Sequence, residues 1–278
     1  MPEPDSTSLA VAPESSAWTR VIRFDRVNNF RDYGDLPSRV GGRVRKGRLF
    51  RSAHLSRASE DDVARLARLG LATVADLRHP GEQAAHPSRW LGEIPVKVID
   101  EPDHEGGETQ DAPHIDAFRK SDFSAAAMRD LLAGFYSEMP FDPRHIALFR
   151  RYFDALATND GGMLIHCAAG KDRTGILAWL THHILGVHPD DAMEDYLLSN
   201  DAANIAERLP GLRIQMEKSY GRPITEEAIL GMLRVDPRFI DGLLDALAAR
   251  FGSTDGYLVD ALGVDPARQE AIRARLLV

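Results

Sequence analysis

The sequence predicts an α/β fold: a mostly parallel central sheet flanked by helices, with a helical C-terminal part. Two observations lead there. Through the first two thirds of the chain, short apolar segments alternate with amphipathic helical ones, the pattern of βα units. After Gly186 the pattern is helical to the end. The length of 278 residues, with 44% hydrophobic and 27% charged, suits one large globular domain with a sizeable core.

The elements follow in order. Residues 1–16 read as a flexible tail, and 17–278 as a single domain whose last part, 186–278, is a helical extension. Arg20 to Phe24 alternates as a short strand would, and Asn28 to Pro37 reads as loop. Arg48 to Arg51 is a second strand candidate. Ser59 followed by Glu60, Asp61 and Asp62 predicts a helix start, a capping hydroxyl before acids in the first turn. Val63, Leu66, Ala67 and Leu69 give that helix its apolar face, and Gly70 stops it. Ala72 to Leu77 is a buried strand ended by a turn around Pro80-Gly81, and Val96 to Ile99 is another strand. The stretch after it, through Gly106-Gly107, reads as a long, polar, mobile loop. Helices fit 123–138 and 143–158, and the strand Gly162 to His166 follows. A helix from Thr174 to Leu185 presents Ile176, Leu177, Leu180 and Ile184 on one face. Pro189 suits a first helical turn, and further helices fit 225–234, 237–251 and 265–276.

Charge narrows the class. With 34 basic and 42 acidic residues the net charge is -8, which argues against nucleic acid as the partner. Arg31 to Arg57 nevertheless holds eight basic residues against two acidic ones. That stretch is either a solvated surface or part of the rim of an anion site. No apolar run reaches membrane-span length, and the N-terminus lacks the basic start and apolar core of a secretory signal, so a cytoplasmic protein without an integral membrane segment is expected, with export by a route that needs no signal peptide as the alternative. The single cysteine excludes an intramolecular disulfide. The histidines lack metal-ligand spacing, and neither metal nor cofactor is expected.

That cysteine carries the chemistry. Cys167-Ala168-Ala169-Gly170-Lys171-Asp172-Arg173 lies between the apolar strand Gly162 to His166 and the helix that follows Thr174-Gly175. A strand–loop–helix of this kind gathers the backbone N–H groups of about 168 to 173 around one point at a helix N-terminus, which suits a phosphate dianion. The same field stabilises a thiolate, the nucleophilic form of cysteine. Arg173 offers a planar fork to two phosphate oxygens. Gly170 lets the backbone approach the ligand, and Thr174 can donate its hydroxyl to the thiolate. His166 is expected to hydrogen-bond the loop backbone.

His166-Cys167-x-x-Gly170-Lys171-Asp172-Arg173-Thr174-Gly175 resembles the signature of the protein tyrosine phosphatase superfamily, and Lys171-Asp172 narrows it to the atypical bacterial tyrosine and lipid phosphatases. Asn29-Phe30-Arg31-Asp32, Gly47-Arg48-Leu49-Phe50-Arg51-Ser52, Leu55-Ser56 and Val74-Ala75-Asp76-Leu77-Arg78 are similar to that group's N-terminal motifs. Asp195-Tyr196-Leu197-x-Ser199-Asn200 and Gly256-Tyr257-Leu258 are similar to its C-terminal ones. The resemblance implies a tyrosine-phosphatase-like fold without metal, with helices that can act as a lid over the active site.

The general acid is less plain. Most of the superfamily places an aspartate on a separate loop, and no clean equivalent stands out: Asp130 falls in a predicted helix and Asp142 in a turn. The resemblance carries the role onto Asp172, although its cationic surroundings suit a second role, activating water. Asp76 is the second candidate, or else a carboxylate that pairs with Arg78 or Arg173. Substrate binding is expected from Ala168, Ala169, Gly170, Lys171 and Thr174. Lys171 either favours substrates with more than one phosphate or faces solvent, and Arg48 and Arg51 can add to its field. The expected partners are phosphorylated proteins or phosphoinositides. The alternatives are an inactive phosphate-binding module and a sulfurtransferase or arsenate reductase; the last normally needs further cysteines. With no second cysteine to protect Cys167 by disulfide formation, a cover is expected among helices at about 187 to 251.

Overall fold

The structure, a computed structural model, describes residues 19–89, 94–101 and 121–278. The predicted tail and most of the Asp100–Asp111 loop lie outside them. Five strands form one sheet: β1 (Arg31–Asp32), β2 (Leu49–Ser52), β3 (Leu71–Asp76), β4 (Lys97–Ile99) and β5 (Gly162–His166). Their order is β1-β2-β5-β3-β4, parallel except for the antiparallel edge strand β1. β5 lies centrally and is buried throughout, as a parallel strand covered on both faces must be. Its alternation sorts the two cores. Met163 and Ile165 join the larger cluster on one face, while Leu164 joins Phe30, Phe50, Leu66 and Val74 on the other.

The helices between the strands are α1 (Glu60–Ala67), α2 (Pro80–Ala85), α3 (Ala125–Glu138) and α4 (Pro143–Thr158). Ser59 caps α1 as expected, with Asp62 completing a reciprocal capping box. α5 (Asp172–Ile184) follows β5 and is buried almost all round, which places it in the centre of the molecule. Next come α6 (Pro189–Leu197), α7 (Ser199–Ala202), α8 (Ile205–Tyr220), α9 (Glu226–Leu233), α10 (Pro237–Phe251), α11 (Thr254–Gly256), a π-helical turn (Tyr257–Ala261) and α12 (Pro266–Leu276).

The C-terminal helices divide into two sets. Leu243 and Leu247 of α10 and Ile272 and Leu276 of α12 enter the main core. α8 and α9 share a small cluster built on Phe123, Ile224, Ala228 and Ile229 with Leu209, Met216 and Tyr220 against them, and α9 also packs Met232 against the main core. Along α8 only Ile205 is buried, and Ile214 is 69% exposed. No described helix is long and apolar enough to cross a membrane.

Two local expectations are corrected. Arg20–Phe24 is not a strand: Val21 makes one isolated bridge to Arg31, because the two-residue β1 offers no ladder to extend. The Pro80-Gly81 turn is the first turn of α2. Proline's fixed φ suits that position, and Glu82 accepts from the His79 backbone amide (2.8 Å) to complete a capping box.

Candidate active site

The loop after β5 sits at the carboxyl end of the central strand, where the chain order switches direction, the usual crevice of an open parallel sheet. Cys167 begins it and is 2% exposed. The Gly170 amide donates to Cys167 Sγ at 3.3 Å, and α5 starts at Asp172, so its free N–H groups face the same point. Gly170 has φ +70°, and a Cβ there would lie 2.3 Å from the Ser52 carbonyl. Glycine is therefore required twice over, by conformation and by contact.

The loop is shaped from behind. Asn29 Nδ2 donates to Ala169 O and Gly170 O at 3.0 Å each, Arg51 Nη2 to Gly170 O at 3.0 Å, and the His54 amide to Ala168 O at 3.2 Å. Drawing these carbonyls backward turns the intervening amides toward Cys167, which is what an anion nest needs. Arg51 is held in turn by Asp195 of α6. That buried carboxylate accepts from Arg51 Nη1 (2.8 Å), Arg31 Nε (3.1 Å) and Arg20 Nη1 (3.1 Å). Burial pushes the Asp195 carboxyl up, but Arg31, Arg51 and Arg20 outweigh it and hold the group well below the usual carboxylate range. Burial and Arg51 pull Arg31 down to about 9 while Asp195 opposes them. Of the Arg31–Arg57 cluster, then, Arg51 reaches the loop, at its back, and Arg31 stands behind it on Asp195 and Asn29. Arg48 precedes β2 at the end of the sheet away from Cys167, where it lines a groove with Arg45 and Arg275.

Arg173 is fixed by an acid that the sequence did not single out. Its Nη2 donates to Glu82 Oε1 (2.8 Å), and its Nη1 to Glu82 Oε2 (2.5 Å) and Leu77 O (3.1 Å). Burial lowers the Arg173 pKa, and the Glu82 hydrogen bond and charge more than reverse it. Nε and one Nη2 hydrogen are used by neither partner, and they form the remaining fork for an anion. Beside Arg173 opens a cavity of about 510 Å³ lined by His79, Phe135, Met139, Phe141 and Arg144 among others.

Asp172 and Lys171 sit together. Tyr136 OH donates to Asp172 Oδ1 at 3.0 Å, and Lys171 Nζ lies 3.1 Å from both carboxylate oxygens. Lys171 is 7% exposed and also donates to Met232 O of α9 at 2.8 Å, so it does not face solvent. Asp76 lies away from this group. Arg78 engages both its oxygens, Nε to Oδ1 at 2.9 Å and Nη2 to Oδ2 at 2.7 Å. Burial raises the Asp76 pKa, but His166 and Arg78 bring it below the ordinary value. His166 Nδ1 approaches Asp76 Oδ1 at 3.7 Å, too far for the hydrogen bond. Nδ1 is buried without a hydrogen-bond partner, while the ring keeps the expected hydrogen bond to the loop backbone, at Cys167; burial lowers the His166 pKa, and Asp76 and that bond oppose it. The Thr174 hydroxyl is likewise buried without a hydrogen-bond partner among the described residues, so its expected bond to Cys167 is not made.

A model of the tyrosine phosphatase family matches residues 22–278. The chain belongs to that family. Its relatives place it in an atypical bacterial branch. A candidate tyrosine-protein phosphatase of Cupriavidus necator is 33% identical over 272 residues, covering 93% of this chain and 92% of that one. The triple specificity protein phosphatase PtpB of Mycobacterium tuberculosis is 31% identical over 277 residues, covering 90% of this chain and 96% of that one. A solved structure, P. aeruginosa TpbA in complex with phosphotyrosine, aligns at 23% identity and a TM-score of 0.28 over 61% of this chain and 86% of that one, too slight a likeness to bear on the argument. Membership brings with it phosphatase-type hydrolysis, the general activity of the superfamily.

Within the family frame, the residues missed from sequence are Glu82, Tyr136 and the supporting role of Asn29. Two of them left a faint trace. Glu82 stands three residues after His79 with Pro80 between them, a capping box pattern. Asn29 sits at φ +57°, unusual for any residue but glycine. Tyr136 left none, because Met128, Leu132 and Tyr136 read as one apolar stripe of α3.

Proposed function

We propose that this chain hydrolyses phosphomonoesters through a cysteinyl-phosphate intermediate. The observation that carries the proposal is the Cys167 Sγ held by the Gly170 amide at the N-terminus of α5, with Arg173 fixed beside it by Glu82. In the first step Sγ attacks phosphorus, the bond to the ester oxygen breaks, and the leaving oxygen takes up a proton. Arg173 and the amides of 168 to 173 hold the equatorial oxygens as charge builds on them. In the second step water attacks phosphorus and the thiolate departs with the electrons of the P–S bond, releasing inorganic phosphate. Asp172 is the carboxylate proposed to move the protons. Asp76, with both oxygens on Arg78, orders the end of β3.

The substrates proposed are phosphotyrosine proteins, with phosphoserine/threonine proteins and phosphoinositides alongside, as the triple specificity of the mycobacterial relative suggests. Lys171 favours substrates with a second phosphate. Its ammonium is tied to Met232 O in this state, so α9, with α8 packed beside it, is the proposed lid that must lift for such a substrate to engage. An inactive phosphate-binding module is the competing reading, and the complete set of Cys167, Asp172 and Arg173 speaks against it. The test is vanadate-sensitive hydrolysis of p-nitrophenyl phosphate, with Cys167→Ser expected to lower it about 10³-fold or more. Undiminished turnover by Cys167→Ser would remove the proposal.

A further inference from the structure

Two buried tyrosines stand behind Asp172. Tyr136 closes the buried stripe of α3, and Tyr196 lies next to Asp195 on α6. Tyr196 OH donates to Tyr136 OH at 2.8 Å, and Tyr136 OH donates to Asp172 Oδ1 at 3.0 Å. Each phenol has one proton to give. With Tyr196 filling an acceptor site on Tyr136, the Tyr136 proton is committed to the carboxylate, and the chain polarises in that direction. Burial pushes both phenols well above their usual value, so both remain donors across the working pH range. Lys171 Nζ lies near both carboxylate oxygens but is shared with Met232 O. Oδ1 therefore accepts from both the phenol and Lys171 Nζ, and Oδ2, 3.1 Å from the same ammonium, is the oxygen left for a reacting proton.

We infer that Tyr136, backed by Tyr196, is a positioning residue that holds Asp172 as the proton acceptor of the second chemical step. This deepens the cysteinyl-phosphate reading and rests on it. As water attacks phosphorus, its proton passes to Asp172 Oδ2. The new P–O bond forms, and the P–S bond breaks with its electron pair returning to Cys167 Sγ. A donor on Oδ1 keeps Asp172 from rotating away and favours its acceptor form when the water must be deprotonated. Formation of the intermediate from an aryl phosphate, whose leaving group needs little help from an acid, does not depend on this support.

That difference gives a signature that loss of folding does not produce. For a reaction through a covalent intermediate, kcat/KM reports the steps up to its formation, whereas kcat includes its breakdown. Tyr136→Phe is expected to slow decay of the intermediate roughly tenfold with p-nitrophenyl phosphate. Steady-state kcat and KM should fall together, leaving kcat/KM within twofold of wild type, and the burst of p-nitrophenolate should grow toward one per active site. Tyr196→Phe, which keeps the Tyr136 phenol, should show the same pattern at smaller size, and it serves if Tyr136→Phe does not fold. Combined with Asp172→Asn, Tyr136→Phe should add nothing further. A fall of kcat/KM in parallel with kcat, or losses that multiply in the double variant, would overturn the inference. The parent reading fails separately, if wild type gives no burst and Cys167→Ser stays active.

Discussion

Replacing Asp195 by Asn removes the one anion from a buried group of three guanidinium ions while keeping its shape. Asp195, Arg31 and Arg51 are each at most 1% exposed and Arg20 is 4% exposed, so solvent cannot take over the lost charge. Breaking a buried pair by removing one partner costs about 3–5 kcal/mol. In a domain of this size that corresponds to a fall in Tm of about 6–20 °C. The pH dependence has a definite sign. Burial raises the folded Asp195 carboxyl, Arg31, Arg51 and Arg20 lower it further, and the net result lies below the unfolded value. Its contribution is therefore fully present above the unfolded carboxylate pKa of about 3.9 and is lost as pH falls through the folded one. Thermal unfolding of wild type and Asp195→Asn from pH 7 downward should show a constant gap to about pH 5 that narrows below about pH 4. The loop should suffer as well, because Arg51 also holds Gly170 O, and vanadate should bind the variant more weakly. A gap under about 2 °C at pH 7, or one that widens in acid, would refute this account of the hub.

Glu82→Gln should cost roughly tenfold or more in kcat/KM on aryl phosphates, because it frees the Arg173 fork while leaving Cys167 in place; steady-state kinetics checks it, and an unchanged kcat/KM would show that Glu82 only caps α2. Lys171→Met should remove the tie to Met232 O, so hydrogen exchange of amides in α8 and α9 should speed up while those of α10 and α12 stay as they are. The same variant should lose more activity on a phosphoinositide bearing several phosphates than on p-nitrophenyl phosphate, measured side by side.

What could be read from sequence was what lies close together along the chain. The Cys167 loop is contiguous, and its strand and helix carry strong periodic signals, so β5 appears with the expected bounds and α5 begins two residues early. The supports of the loop come from far away. Glu82 meets Arg173 across 91 positions, Asn29 meets Gly170 across 141, and Asp195 meets Arg51 across 144. Pairings of this kind leave no periodicity, and a buried Asp195 on a short helix cannot be told from a surface one by its neighbours. Lys171 shows the same limit. Its place in the loop suggested a substrate contact or a solvated side chain, and the structure gives it a backbone carbonyl on a helix some sixty residues away. Thr174 fails for a different reason: sequence supplied the right atom near Cys167, but hydrogen bonding depends on tenths of an ångström that no motif encodes.

The central claim, that phosphate passes through sulfur, is tested most directly by rapid acid quench during turnover of a phosphorylated substrate, followed by mass spectrometry of the peptide carrying residue 167. A phosphoryl group on Cys167 that forms within the burst, decays with turnover and is missing in Cys167→Ser is the result predicted. A burst without modified Cys167, or a phosphoryl group on another residue, would contradict it.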